Sequence, residues 1–162
     1  SDNTTAVLYV DVRGSTARGW KYRSAVYGKL GLYEAQDTVE AVELVLQKYP
    51  QLDRDRVLIF GWSFGGFLTL RLVQEAPSGF FKCALAVAPV TNFMMYDATY
   101  TERYMGDAPA SAYIDVPSDV SKFNSTNLLL VHGLRDDNVH FQNSALLMEA
   151  LQTADIQFQT MV

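Results

Sequence analysis

Four apolar runs punctuate the chain: AVLYVDV at 6–12, VLIF at 57–60, CALAVA at 83–88 and LLLV at 128–131. They are nearly continuous rather than alternating, the pattern of central parallel strands covered on both faces. A fifth run, IQFQTMV, closes the sequence. Between the runs, apolar residues recur at helical spacing. Ala35, Val39, Val42, Leu46 and Tyr49 share a stripe that Pro50 ends. Phe67, Leu68 and Leu72 mark a second helix, stopped near Pro77, and Phe141, Ala145, Met148 and Leu151 mark a third. Strand and helix in succession predict an α/β fold, a mostly parallel sheet with helices on both faces and right-handed crossovers.

One segment breaks this rhythm. Residues 91–126 are rich in Tyr, Met, Pro and Ser and are too long for a plain connector. Four tyrosines within it favour an ordered, ligand-facing role over disorder.

Composition narrows the classes. With 162 residues, 49% of them hydrophobic and 19% charged, the chain has material for one substantial core. Thirteen basic and 18 acidic residues give a net charge of -5 with no polybasic run, which argues against nucleic acid or an anionic membrane as partner. No apolar run approaches the roughly 18 residues of a membrane span. The chain lacks an initiator Met and stops at Met161-Val162 inside an apparent strand. It is therefore expected to be part of a larger protein, a domain over 1–162 incomplete at both ends. The single cysteine, Cys83, is expected to be a buried apolar residue. Asn3 and Asn124 begin Asn-X-Ser/Thr sequons, of which Asn124 is the glycosylation candidate.

The candidate chemistry lies where VLIF runs into Gly-Trp-Ser-Phe-Gly-Gly at 61–66. In an α/β hydrolase, G-x-S-x-G between a strand and a helix places a nucleophile on a strained, outward-pointing turn. Gly61 and Gly65 are expected to make room for that bend. Ser63 is the candidate nucleophile, and the Phe64 amide a candidate oxyanion donor. A serine needs a base, and the base an acid, in the chain order Ser, Asp or Glu, His. After LLLV comes HGLRDDNVHF, so Asp136 or Asp137 is the candidate acid, although Asp137 would also suit capping of the following helix. The histidine should follow the next strand, where this sequence stops. His132 precedes the acid, and His140 lies only four residues beyond Asp136. Their spacing fits no helical His pair or HExxH arrangement, so no metal is assigned and no cofactor is expected.

Taken together, GWSFGG, AVAPVTNFMMYDATYTERYMG and LLLVHGLRDDNVHF resemble the peptidase domain of the dipeptidyl peptidase IV group within the prolyl oligopeptidase family. The likeness runs from DVRGS to FQTMV. It implies an α/β-hydrolase fold, Ser63 as nucleophile and Asp136 as triad acid. Val90, Phe93, Tyr96, Tyr100 and Val139, with the Phe64 ring, match positions lining a pocket for proline or alanine. Asn138 matches an asparagine that hydrogen-bonds a substrate carbonyl. An aromatic box suits a flat pyrrolidine, which it binds by dispersion and desolvation. The resemblance also implies peptide substrates with Pro or Ala in the second position and an acyl-enzyme intermediate. It implies an oxyanion tyrosine and a substrate-clamping glutamate pair in an upstream propeller, both outside this chain, and a partner for Cys83 beyond its end. Phe64 and Phe93 depart from the Tyr and Trp of dipeptidyl peptidase IV. An extracellular or type II membrane ectodomain, anchored only by an upstream helix, is expected, and relatives often form homodimers. The isolated segment is expected to be inactive because the base is missing. The rivals are another serine hydrolase of this architecture (oligopeptidase, acylaminoacyl peptidase or esterase) and a non-catalytic adhesion or channel-associated relative.

Overall fold

The computed structural model describes residues 5–162, so the sequon at Asn3 lies outside the described residues. A single turn, α1 (Trp20–Arg23), and α2 (Tyr33–Lys48) precede β1 (Leu58–Trp62). There follow α3 (Phe64–Glu75), β2 (Cys83–Val87), α4 (Ala98–Met105), β3 (Asn127–Val131), α5 (Gln142–Thr153) and β4 (Gln159–Met161). The four strands are parallel and lie in chain order, β1-β2-β3-β4. Consecutive parallel neighbours require a crossover each time, and α3 and α5 lie in two of these.

The expected elements form, with one exception. Residues 6–12 make no strand, and Val7 and Tyr9 are 72% and 91% exposed. Apolar composition favours a strand, but a strand exists only by pairing, and β1 at the sheet edge takes no second partner among the described residues. The long segment 91–126 is ordered, as expected, by α4 and short 3-10 turns. Phe93, Met105, Val116, Val120 and Phe123 anchor it in the core. No helix is long and apolar enough to cross a membrane among the described residues.

The core explains why the chain folds this way. Phe67, Leu70 and Val73 of α3 and Leu147 and Leu151 of α5 are buried against Ala84, Ala86, Leu128 and Leu130. Each fully buried Leu or Phe contributes about 2 kcal/mol of desolvation. Ala35, Val39, Val42 and Leu46 of α2 pack on α3, Phe80 and Phe81. α3 and α5 therefore cover one set of alternating strand residues, and α2 packs on α3. The opposite set shows Leu58, Phe60 and Trp62 exposed on β1, and the Cys83 thiol is also exposed. This corrects the expectation of a buried cysteine. Near-continuous apolar strands record that a sheet is built for two covered faces, and the helices of residues 5–162 supply one.

Candidate active site

The strand-to-helix corner at Ser63 organises everything near it. Ser63 directly follows β1, and its amide donates to the Val87 carbonyl of β2 at 2.9 Å. It then turns the chain with φ 57 and ψ -116, a left-handed conformation that non-glycine residues rarely adopt. It stands at the N-terminus of α3 and makes no side-chain capping bond, so its half-buried hydroxyl is not committed to the helix. The first amides of a helix have no intrahelical acceptor, so the Phe64 N–H at the start of α3 is free of that ladder.

The need for glycine differs from the expected one. A Cβ on Gly61 would overlap the Gly65 carbonyl and lie 2.7 Å from Thr69 Oγ1. On Gly66 it would lie 2.9 Å from Pro89 Cα and 3.0 Å from the Val87 carbonyl oxygen, whereas on Gly65 it would meet nothing. The corner brings Gly65 backbone against Gly61 and then drives the helix into β2, so the second tight approach falls one residue later than expected. Gly61→Ala and Gly66→Ala are each expected to lose about 1–3 kcal/mol from overpacking. Gly65→Ala is expected to be neutral or slightly stabilising, since a helical Gly costs about 0.5–1 kcal/mol relative to Ala. Thermal denaturation of the three variants checks this order.

Asp136 sits beyond the end of β3 on the same carboxyl edge, with β2 between its strand and that of Ser63. Two strand spacings of about 4.8 Å separate β1 from β3. Asp136 Oδ1 accepts the amides of Asn138 and Val139, both at 3.0 Å, which folds the loop around the carboxylate. Oδ2 lies 3.6 Å from His132 Nε2. Asp137 is exposed and caps nothing, because Phe141 is the N-cap of α5 and no side chain bonds there. His132 is buried, with Nδ1 2.7 Å from Ser144 Oγ and Nε2 2.7 Å from the Val139 carbonyl, so both ring nitrogens are engaged. His140 is exposed on the loop that carries Asp136.

Aromatic rings connect these two points. Phe64 and Phe93 lie 6.1 Å apart between centroids, Phe93 stacks on Tyr100 at 5.8 Å, and Tyr96 meets Tyr100 edge-on at 5.5 Å. Val90, Phe93 and Val139 are almost wholly buried behind this wall, and Phe64, Tyr96 and Tyr100 reach its surface. Burial pushes the Tyr100 hydroxyl up to about 12, so it stays a neutral phenol. The Tyr96 hydroxyl donates to Asn138 Oδ1 at 2.8 Å, leaving the Asn138 amide hydrogens as its outward donors. Two open surface grooves of about 390 and 420 Å³ lie elsewhere, lined by Pro117, Leu146 and Glu149 and by Gln152, Ile156 and Thr160. Neither contains a chemical group of this edge. Asn124 is exposed in the turn before β3, and the hydroxyl of Thr126 in its sequon donates to the Phe81 carbonyl.

Several contributors carried no signal in the hydrophobic pattern. Glu34 is buried, its carboxylate accepts the Gly31 amide at 3.1 Å, and burial pushes its pKa up. A side chain at Gly31 would collide with the Phe67 ring, so the residues before α2 back the aromatic wall. Tyr104 extends that wall, 4.6 Å from Tyr100. No group of three or more metal-ligating side chains is found among the described residues.

A parallel sheet whose first strand ends in a left-handed serine corner, with the helix starting at the next residue, is an α/β-hydrolase fold. The family model of the prolyl oligopeptidase family matches residues 1–162, and the chain belongs to that family. It is 59% identical over 163 residues to dipeptidyl peptidase family member 1 of Caenorhabditis elegans, covering 100% of this chain and 20% of that protein. It is 42% identical over 167 residues to dipeptidyl peptidase 4 of Sus scrofa, covering 99% and 22%. The crystal structure of Porphyromonas gingivalis dipeptidyl peptidase 4 matches with a TM-score of 0.81 and 37% identity, over 93% of this chain and 22% of that one. The chain thus spans about a fifth of the length of these relatives.

Proposed function

We propose that the protein containing this chain is a serine peptidase that releases dipeptides from peptide N-termini with proline or alanine in the second position. The observation that carries the reading is the Ser63 corner, with its uncommitted hydroxyl and the Phe64 amide beside it. Names of relatives that include dipeptidyl peptidases support the substrate class.

Each residue then has a role. The Ser63 oxygen attacks the carbonyl carbon of the scissile bond while its proton passes to a general base. The carbonyl electrons move onto oxygen, where the Phe64 amide donates to the oxyanion. Collapse expels the amine, which takes the proton from the base and leaves an acyl-enzyme on Ser63. Water repeats the sequence and frees the dipeptide. Asp136 orients the base and stabilises its protonated form. Val90, Phe93 and Val139 form the back wall of the specificity pocket, Phe64, Tyr96 and Tyr100 its rim. Asn138, held by Tyr96, offers its amide hydrogens to a substrate carbonyl.

His132 cannot be the base, because its ring nitrogens are spent on Ser144 and Val139. The base in this proposal is a histidine outside these 162 residues. The full-length protein is expected to turn over a Gly-Pro or Ala-Pro chromogenic dipeptide in preference to a simple acyl ester, and the isolated chain neither. Preference for the ester would favour the esterase reading. Dipeptide turnover by the isolated chain would place the base within it.

A further inference from the structure

We propose that the first turn of α5 is a latch holding the substrate-pocket loop and the acid loop in register, with Thr91, Asn143, Ser144 and His132 as positioning residues. The inference rests on the peptidase reading for its kinetic consequences and on the hydrogen bonds alone for its mechanical ones.

Asn143 and Ser144 are adjacent in sequence and almost wholly inaccessible, at 0% and 1% exposure. About 100° of helical rotation separates neighbouring side chains, so they face different elements. Asn143 faces the loop after β2. Its Oδ1 accepts the Thr91 amide at 2.9 Å, and the Thr91 hydroxyl donates to the Asn143 carbonyl at 3.0 Å. Thr91 is itself fully buried and sits between Val90 and the Phe93 turn. Its carbonyl accepts the Val116 amide, so this residue is tied on both sides.

Ser144 faces the loop after β3, where it meets His132. A carbonyl can only accept, so His132 Nε2 carries the proton that it donates to the Val139 carbonyl. In the neutral ring, Nδ1 then accepts the Ser144 hydroxyl proton. The Val139 amide, on the same residue that His132 grips, donates to Asp136 Oδ1. The chain of contact therefore runs from α5 through Ser144, His132 and Val139 to the Asp136 carboxylate. A core position that needs only bulk would be filled by an apolar side chain. Four buried polar groups with mutually satisfied partners instead specify one geometry, because any displacement leaves a desolvated donor or acceptor unpaired.

The two arms predict separable losses in the full-length protein. Ser144→Ala deprives Nδ1 of its donor and loosens the acid loop. It is expected to lower kcat about 10²-fold with KM little changed, the cost of a misplacement of about 1 Å. Ser144→Thr keeps the hydroxyl and is expected to restore most of kcat. Thr91→Val removes one bond from the pocket loop and is expected to raise KM several-fold for Pro dipeptides with a smaller change in kcat, and Thr91→Ser to restore KM. Hydrogen–deuterium exchange reads the latch without activity: faster exchange over 132–141 in Ser144→Ala, and over 90–96 in Thr91→Val. If the exchange pattern appears while the wild-type protein cleaves no dipeptide, the substrate reading fails and the latch stands. If the wild-type protein is active and the folded variants keep its exchange, kcat and KM, the latch is overturned. Loss of kcat that Ser144→Thr fails to restore also overturns it.

Discussion

Ser63→Ala is expected to abolish covalent labelling of the full-length protein by a fluorophosphonate and to reduce dipeptide turnover by about 10⁴-fold or more. The structure makes this substitution unusually clean. The left-handed φ of 57 burdens alanine about as it burdens serine, so no new backbone strain enters. The serine side chain makes no capping bond to α3, so no helix-end donor is orphaned by its loss. A melting temperature close to that of the wild-type protein should accompany the lost activity. Labelling that persists in the alanine variant would remove Ser63 as the nucleophile, whereas a wild-type protein that takes no label would favour the non-catalytic reading.

Asp136→Asn is the second large effect, expected at about 10⁴-fold in kcat. Asparagine keeps an oxygen in the place of Oδ1, so the amides of Asn138 and Val139 retain their acceptor and the loop keeps its shape. What changes is the other arm, where an anionic oxygen becomes an N–H donor. An imidazole facing a donor adopts the wrong tautomer and has no charge to stabilise its protonated form. Asp136→Ala provides the contrast. It strips the acceptor from two amides and should cost a further 1–3 kcal/mol or so of stability. A melting experiment beside the kinetics separates the two. Activity of the Asn variant within tenfold of wild type would move the acid elsewhere, with the exposed Asp137 the first to test.

Much of the molecule is legible from local pattern because the forces concerned act over a few residues. The strands at 57–60, 83–88 and 128–131 and the stripe from Ala35 to Leu46 follow from apolar spacing, which reports burial wherever a partner layer exists. The serine corner follows from steric rules on consecutive residues. Even there, short-range reasoning points to Gly65 for the second close approach and the structure places it at Gly66, because the obstacles are the Val87 carbonyl at the end of β2 and Pro89 in the loop just beyond it. The α5 stripe marks its helix but not all of the buried face, for a related reason. Its most buried first-turn residues are Asn143 and Ser144, polar side chains with no hydrophobic signature.

Residue order alone therefore settles the strands at 57–60, 83–88, 128–131 and the chain's end, the three long helices, and that a serine occupies a bend too tight for ordinary side chains. It also carries the likeness to a peptidase family through stretches of contiguous residues. Assembly settles the rest. Residues 6–12 remain unpaired because pairing depends on a neighbouring strand, not on their own composition. Ser63, the aromatic wall and Asp136 share one edge because three parallel strands bring chain segments 73 positions apart to the same side of a sheet. Hydrogen bonds such as Thr91 to Asn143, spanning 52 positions, form only once that edge is built, since directional contacts require both partners already to be held in place.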